Sequence, residues 1–278
     1  MSRLWHCWCV ALLVGGCATQ GGEPKPVLPD LSTRLDTLLP ADALLLGEQH
    51  DAAQHQRIHR DVIAAMAQRG ALAAVVLEMA EQGHSTRALP SFAPEYVVRN
   101  TLQWNDRQWP WAQYGASVMA AVRHGVPVIG SNLPREQMRS AMQTNATDTL
   151  LDATAFQAQQ AQIRSGHCNM LPESQMVPMA RVQIARDVAM AQAITRALQP
   201  GKTVVLLAGA GHADRQLGVP RHLAAGITVK SLQLRAHSPS EEPTATPHFD
   251  QVWPTEAIAA KDYCAAIQPQ KTAPANKP

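Results

Sequence analysis

The stretch Ala43-Leu44-Leu45-Leu46-Gly47-Glu48-Gln49-His50 decides how this chain is interpreted, because an apolar run ends at once on a glycine, an acid and an imidazole. Such a run predicts a buried strand that leads into a polar turn. A second copy of the arrangement lies downstream, where the apolar residues 204–208 lead into Gly209-Ala210-Gly211-His212. Between the two copies, residues 73–77 form a third apolar run that ends directly on Glu78.

Strand patterns alternate with helix patterns along most of the chain. Helical periodicity over residues 52–68, 147–165 and 177–198 alternates with apolar strand patterns, including one over 126–129 and one over 227–234. This alternation predicts an α/β fold with a mainly parallel central sheet flanked by helices, and with a helical insert. Ligands of such sheets bind outside the carboxyl ends of the strands, so we expect the site there.

The residues at these strand ends have the chemistry of a site. Glu48, His50, Glu78 and His212 supply two carboxylates and two imidazoles. This set suits a divalent metal ion, or an acid/base pair with a stabilising group. The alternative is that they only satisfy backbone groups at sharp glycine turns. No Gly-x-Ser-x-Gly elbow, Gly-x-Gly-x-x-Gly fingerprint or P-loop is present in the sequence, which disfavours nucleophilic hydrolases and nucleotide binding.

His55 and His59 stand four residues apart on the helix that follows the first turn, which is a metal-ligand spacing. The residues between them lack the glutamate of a zincin motif. The two imidazoles therefore either ligate a metal, or line the helix face that points towards the site, or lie in solvent.

Two further groups of side chains could contact a flat ligand. The first is aromatic, and either packs the helices or forms a wall for a ligand: Trp104, Trp109, Trp111 and Tyr114. The second contains His167 and Met170 beside Cys168, where the soft side chains suit either plain core or an adaptable apolar surface.

The amino terminus predicts export and anchoring. Arg3 precedes a short apolar segment that ends on Val14-Gly15-Gly16-Cys17, which is typical of a bacterial lipobox with lipidation at Cys17. An ordinary secretory peptide is the alternative. We expect a signal peptide with lipobox at residues 1–17, a tether and short helix at 18–42, an α/β domain at 43–266 and a disordered tail at 267–278. The anchor predicts a place in the bacterial cell envelope, at the outer membrane.

The remaining cysteines and the net charge limit the possible compartment and partners of the protein. Once Cys7 and Cys9 leave with the signal peptide, Cys168 and Cys264 form an even pair in an oxidising compartment, which predicts a disulfide, with two buried free thiols as the alternative. The formal net charge is +2, and no run rich in lysine and arginine occurs, so nucleic acid is not indicated as a partner.

Several sequence blocks together resemble the ChaN-like lipoproteins of the haem-binding uptake/Tiki superfamily, over residues 44 to 264. The blocks are Leu46-Gly47-Glu48-Gln49-His50, Glu78-Met79, Asn132-Leu133-Pro134-Arg135, His167-Cys168 with Leu171-Pro172, Arg186-Asp187 with Met190-Ala191, and Gly209-Ala210-Gly211-His212. The resemblance implies a ChaN-like α/β domain and a surface lipoprotein that binds haem through a tyrosine, in one form as a stacked pair held between two protomers. Tiki-like members are instead metal-dependent proteases that use two Gly-x-x-His motifs and a glutamate.

The resemblance gives two hypotheses for this chain. The first is a lipid-anchored haem-binding protein for haem and iron uptake that pairs as a homodimer around haem. Its ligand would be Tyr114, with His167 and Met170 as the second option. The alternative is a metal-dependent hydrolase whose catalytic and metal-binding residues are Glu48, His50, Glu78 and His212.

Overall fold

The computed structural model describes residues 30–236 and 248–265. The predicted signal peptide with its lipidation site Cys17, the tether up to residue 29 and the tail at 267–278 therefore lie outside the described residues. Within the described ranges, no helix combines the length and the apolar character needed to cross a bilayer.

Parallel strands build a single sheet at the centre of the described part of the chain. The strands are β1 (Ala43–Glu48), β2 (Leu72–Glu81), β3 (Val128–Asn132), β4 (Thr203–Gly209), β5 (Val229–Ala236) and β6 (Gln251–Thr255). Every pairing is parallel, and the order across the sheet is β3-β2-β4-β1-β5-β6. The inner strands β1 and β4 are buried along their whole length, as unbroken apolar runs predict for strands covered on both faces.

Helices cover both faces of this sheet. They are α1 (Leu31–Asp36), α2 (Ala53–Gln68), α3 (Glu95–Thr101), α4 (Trp111–Arg123), α5 (Arg135–Gln143), α6 (Ala153–Gly166), α7 (Met176–Ala197) and α8 (Ala210–Ala213). Leu44 and Leu46 point to the face covered by α1, α2 and α4, whereas Leu45 points to the face covered by α7. Helices α5 and α6 pack on α7 and form the predicted helical insert.

Three boundaries differ from the sequence-based expectation. Strand β2 continues past residue 77 to Glu81 after a shift of its register with β3, so Glu78 lies inside the strand and not behind it. Helix α6 begins at Ala153 because the Asp152 side chain accepts the Ala155 N–H and caps the helix. Strand β5 begins at Val229, and the carbonyl of Thr228 just before it accepts the N–H groups of both Asp42 and Ala43.

The predicted disulfide between Cys168 and Cys264 is confirmed. It joins the turn after α6 to the segment that follows β6. We call this segment, residues 256–265, the strap. A loop of this length, with a sequence separation of 96 residues, corresponds in the chain-entropy model to about 4 to 5 kcal/mol of stabilisation. The insert and the carboxyl end of the domain are thereby covalently linked.

Candidate functional site

A cleft of about 600 Å³ opens at the carboxyl ends of β1, β2 and β4. The strand-end residues Glu48, His50, Glu78 and His212 all line it, as the fold class predicts. Helix α7 contributes Gln183 and Arg186, and the strap contributes Lys261 and Tyr263. The cleft divides into two groups of side chains, each built around one buried glutamate.

The first group, the Glu48 cluster, consists of Glu48, His50, Gln56 and Tyr114. Glu48 Oε1 accepts the Tyr114 hydroxyl at 2.6 Å and lies 2.8 Å from His50 Nδ1. Its Oε2 accepts the Gln56 amide at 2.8 Å. Burial raises the pKa of Glu48, but the hydrogen bond and charge of His50 together with the hydrogen bond from Tyr114 oppose it, and the pKa of Glu48 is lowered. Glu48 is therefore an ionised acceptor.

The imidazole of His50 is the accessible part of the Glu48 cluster. Because an ionised carboxylate only accepts, His50 Nδ1 must carry a hydrogen, and Nε2 is the nitrogen that exchanges a proton with the cleft. The side chain of His50 is 42% exposed, and within the described residues its hydrogen bond is made by Nδ1 and not by Nε2. Burial lowers the pKa of His50, but Glu48 and Glu78 outweigh it and raise the pKa.

Gly209 keeps the space beside this imidazole open. A Cβ at position 209 would lie 2.9 Å from His50 Nε2 and 3.6 Å from Glu78 Oε2, in the space that both atoms border. Any other residue would crowd the ring. The edge of Trp109 packs on the His50 ring with 4.9 Å between the ring centroids and fixes its orientation.

The second group, the Glu78 cluster, consists of Glu78, Arg186, Asp187 and His212. Glu78 accepts Arg186 Nη2 at 2.5 Å through Oε1 and the Gly209 N–H at 2.7 Å through Oε2. His212 Nδ1 lies 2.5 Å from Asp187 Oδ1, and its Nε2 lies 3.5 Å from Glu78 Oε1. These four side chains carry two negative and, when His212 is protonated, two positive charges.

The ionisation of the Glu78 cluster follows from these contacts. Burial disfavours the carboxylate of Glu78, but His212 and Arg186 outweigh it and hold the pKa of Glu78 well below its usual range. Burial also lowers the pKa of His212, but the carboxylates of Asp187 and Glu78 raise it to about 9. His212 is therefore protonated at neutral pH. Burial raises the pKa of Asp187, and His212 and Arg186 oppose this rise. With Asp187 ionised, the charges of the cluster sum to zero.

The predicted divalent metal site is not supported. The four predicted ligands do converge, but within residues 30–236 and 248–265 no group of three or more His, Cys, Asp or Glu side chains could hold a metal ion. Both carboxylates are already committed: Glu48 to Tyr114, Gln56 and His50, and Glu78 to Arg186 and Gly209. His212 Nδ1 is bonded to Asp187, and its Nε2 faces Glu78 Oε1 at 3.5 Å and the Gln183 amide at 3.3 Å, so both nitrogens already have neighbours within the protein.

His55 and His59 are buried under the β1–α2 turn and do not lie in solvent. His55 Nδ1 accepts the Gln49 N–H at 2.9 Å, and its Nε2 lies 2.9 Å from the Thr255 hydroxyl, so this ring holds the turn to β6. Burial lowers the pKa of His55 to about 4 and also lowers the pKa of His59. His59 Nδ1 lies 3.5 Å from Glu48 Oε2, but within the described residues neither ring nitrogen of His59 has a hydrogen-bond partner.

The predicted haem ligands occupy three different environments. Tyr114 is 1% exposed, its hydroxyl donates to Glu48, and burial together with Glu48 raises its pKa, so the structure does not present this phenol to a ligand. Trp104 and Trp109 pack against its ring with 6.2 and 5.9 Å between ring centroids, and Trp111 lies in the core. His167 and Met170 lie outside the cleft wall beside the disulfide; His167 Nδ1 contacts the Ile163 carbonyl at 2.8 Å, and Met170 is exposed.

The sequence gave no role to Arg186 and Asp187 of the Glu78 cluster or to Lys261 and Tyr263 of the strap, and all of these but Asp187 line the cleft. A signal existed for the first two, because Gln183, Arg186 and Asp187 form a polar stripe at helical spacing on the alanine-rich α7. The sequence held no such signal for the strap residues, because only the disulfide and the fold bring residues 261 and 263 to the carboxyl end of β1.

Comparison with known proteins gives a family and one close fold. The model of the family described as "Haem-binding uptake, Tiki superfamily, ChaN" matches residues 34–223. A solved structure of ChaN from Campylobacter jejuni, described as showing cofacial haem binding, has a TM-score of 0.63 at 21% identity, and the match covers 76% of this chain and 88% of that chain. No curated protein matches this chain.

Two further solved structures match more weakly. They are the type III effector HopBA1, with a TM-score of 0.45, 13% identity and coverage of 78% of this chain and 88% of that one, and a Bacillus cereus protein, with a TM-score of 0.44, 14% identity and coverage of 74% and 69%. Because the family model spans well over half of the sequence and the described fold agrees with it, this chain belongs to the haem-binding uptake, Tiki superfamily, ChaN family.

Proposed function

We propose that this chain binds haem in the cleft at the carboxyl ends of its strands. Its family membership supports this proposal, as does its similarity to the Campylobacter jejuni ChaN that is described with cofacial haem. The volume of about 600 Å³ lies within the range of roughly 300 to 1,000 Å³ that is usual for small-molecule and cofactor sites.

The observation that carries the proposal is the accessible Nε2 of His50. Haem supplies an iron atom that takes a protein nitrogen, oxygen or sulfur as its axial ligand. His50 offers a nitrogen that borders the open space over Gly209 and competes only with a proton. Its other nitrogen donates to Glu48, a carboxylate–imidazole arrangement that orients metal-bound histidines and raises their basicity.

His50 is a better ligand candidate than the three tyrosines. Tyr114 is buried and bonded to Glu48, and Tyr96 lies on the surface outside the cleft wall. Tyr263 does line the cleft, but its hydroxyl donates to Asp51 at 2.5 Å, and this bond raises its pKa and disfavours the phenolate that iron requires. We therefore prefer His50 to Tyr114 as the proposed ligand and keep His167 and Met170 as the option outside the cleft.

We further propose a role in haem and iron uptake by a lipid-anchored protein of the outer membrane, with two protomers paired around haem. The lipobox that ends on Cys17 supports the anchor. The partially open cleft supports pairing, because a flat ligand held at one exposed imidazole leaves its other face available to a second haem and a second protomer.

The test is a haemin titration of residues 30–278 that follows the Soret band, with sedimentation of the loaded protein. We expect saturable binding with a shifted band, and two haems per two chains if protomers pair. Exchanging His50→Ala should weaken binding by about a hundredfold, or about 2.7 kcal/mol.

Two histidine variants serve as controls. His124→Ala removes an exposed imidazole at the end of α4, away from the cleft, and should leave the titration unchanged. His167→Ala tests the alternative ligand. A non-saturating wild-type titration would contradict haem binding, and a loss of the shifted band in His167→Ala with no change in His50→Ala would move the site to the insert.

A further inference from the structure

The two ends of the parallel sheet differ in what lies beside them. The cleft opens at the carboxyl ends of the strands, whereas helix α1 lies at the amino ends. Helix α1 precedes β1, and its Ser32 and Asp36 side chains accept hydrogen bonds from Arg69, which follows α2 and comes shortly before β2. The predicted tether up to residue 29 therefore joins the domain at the end of the sheet that is away from the cleft.

Exposed basic side chains collect at this amino end. Arg123 lies in the last turn of α4, ahead of β3, and Arg196 lies in the last turn of α7, ahead of β4. Lys202 comes directly before β4, and Arg87 directly follows Thr86, whose hydroxyl accepts the N–H of the first residue of β3. Within the described residues, none of these four cations forms an ion pair with a carboxylate.

The carboxylates at the amino end offset only part of this charge. Asp36 is paired with Arg69, and Asp250, just before β6, is paired with Arg215. Of the described residues, the other carboxylates at this end are Asp30, Asp42 and Glu95. The four cations and the arginine of α1 outnumber them, so this end of the sheet is positive.

Two exposed aromatic side chains lie at the same end. Phe92 is 85% exposed, and Tyr96, four residues later, is 67% exposed. They flank the start of α3, in the segment that leaves the amino end of β3 after Thr86. Among the large apolar side chains of the described residues, these two are the most exposed. Aromatic rings beside basic side chains are typical of protein surfaces that meet the headgroup region of a membrane.

We propose that the amino end of the sheet is a lipid-facing surface, on which Phe92 and Tyr96 enter the headgroup region and the basic side chains pair with the phosphates of anionic lipids. The inference rests on the proposed lipid anchor at Cys17 and not on haem binding. A tether of residues 18–29 reaches at most about 40 Å when fully extended, so the anchor keeps this end of the domain close to the membrane. The cleft then faces away from the membrane and is open to a ligand from the aqueous side.

The experiment places a fluorescent label on the lipidated full-length chain and measures its quenching by brominated lipid in vesicles of phosphatidylethanolamine and phosphatidylglycerol. Ser91→Cys carries the label on the proposed surface and leaves both aromatic side chains in place. Ala53→Cys carries it on the exposed first turn of α2, at the cleft end. We expect strong quenching at position 91 and none at position 53.

Variants of the Ser91→Cys chain test the chemistry of the surface. Arg123→Gln with Lys202→Gln should lower the equilibrium between docked and undocked molecules about fivefold for each charge removed, the usual contribution of one basic side chain at an anionic membrane. Phe92→Ser with Tyr96→Ser should also reduce quenching, and only this second effect should persist at high salt. Arg57→Gln removes an exposed cation at the cleft end and should leave quenching unchanged.

The outcomes separate the surface from the anchor. Equal quenching at positions 91 and 53, or none at position 91, in chains that float with the vesicles would overturn the inference while the anchor stands. Chains that do not float with the vesicles would overturn the anchor and the inference together, and the haemin titration decides haem binding separately. Burial of the label at position 91 in native outer membranes, but not in protein-free vesicles, would assign this end to a protein partner and overturn the lipid surface.

Discussion

The Glu48 cluster and the Glu78 cluster face each other across one cleft, but only one of them is open. Glu48 is surrounded by neutral donors and by an imidazole that is 42% exposed. Glu78 is enclosed by Arg186, Asp187 and His212, whose charges balance its own and whose polar atoms bond mainly to one another and to Glu78. The first cluster has a nitrogen to give to a ligand, and the second has none.

This difference separates a binding role from a structural one. A buried and fully matched ion network contributes to a unique fold chiefly because breaking it leaves an unpaired charge. A partly exposed imidazole supported by one carboxylate can instead change its partner without disturbing the core. We therefore expect variants in the Glu78 cluster to change stability, and variants at His50 to change ligand binding.

The largest expected effect is at Arg186. Exchanging Arg186→Met leaves the carboxylate of Glu78 buried beside Asp187 without its guanidinium partner, which should cost about 3 to 5 kcal/mol of the free energy of unfolding in urea. Arg215→Met breaks the more exposed pair with Asp250 and should cost less than about 1 kcal/mol. Similar losses in the two variants would show that the Glu78 cluster is no more than an ordinary surface pair.

The next effect is the pH dependence of stability. The pKa of His212 is raised from 6.5 to about 9 in the folded protein, so its contribution is complete below pH 6.5 and is lost as the pH rises through about 9. We therefore expect the free energy of unfolding, measured in urea, to fall by about 3 kcal/mol between these two pH values. In His212→Gln that decline should be absent. A wild type whose stability is flat from pH 6.5 to 9 would contradict the charged state assigned to His212.

The smallest effect is at Tyr114. Exchanging Tyr114→Phe removes one hydrogen bond to a buried carboxylate and should cost about 2 kcal/mol of unfolding free energy. The absorption spectrum of the haem complex should stay the same, because this phenol supports Glu48 and does not meet the iron. A changed Soret band in this variant would restore Tyr114 as the ligand.

The same two clusters show what the sequence could predict. Apolar runs that end on polar residues predict the parallel sheet and the convergence of Glu48, His50, Glu78 and His212. Helical periodicity predicts the helical insert. The hydrogen bond between Glu48 and His50 follows from their spacing of two along an extended segment. The Glu78 cluster does not, because Arg186 and Asp187 come from a helix more than a hundred residues downstream of Glu78.

Burial was the second quantity that the sequence did not supply. Tyr114, His55 and His59 have polar atoms that suit ligation, but packing of α2 against β1 and of α4 against α2 removes them from solvent. For the strap the error was the opposite one, because two residues of the cleft were not predicted. Tyr263 and Lys261 belong to no sequence motif, and the disulfide holds their segment at the cleft. The pairing of Cys168 with Cys264 was predictable, but its consequence for the site was not.

The measurement that tests the central claim most directly is the resonance Raman spectrum of the reduced and oxidised haem complexes of wild type, His50→Ala and Tyr263→Phe. We expect an iron–imidazole stretch in the reduced wild type that is retained in Tyr263→Phe and lost in His50→Ala. Tyrosinate modes in the oxidised wild type that persist in His50→Ala and vanish in Tyr263→Phe would contradict ligation by His50 and assign the iron to the strap.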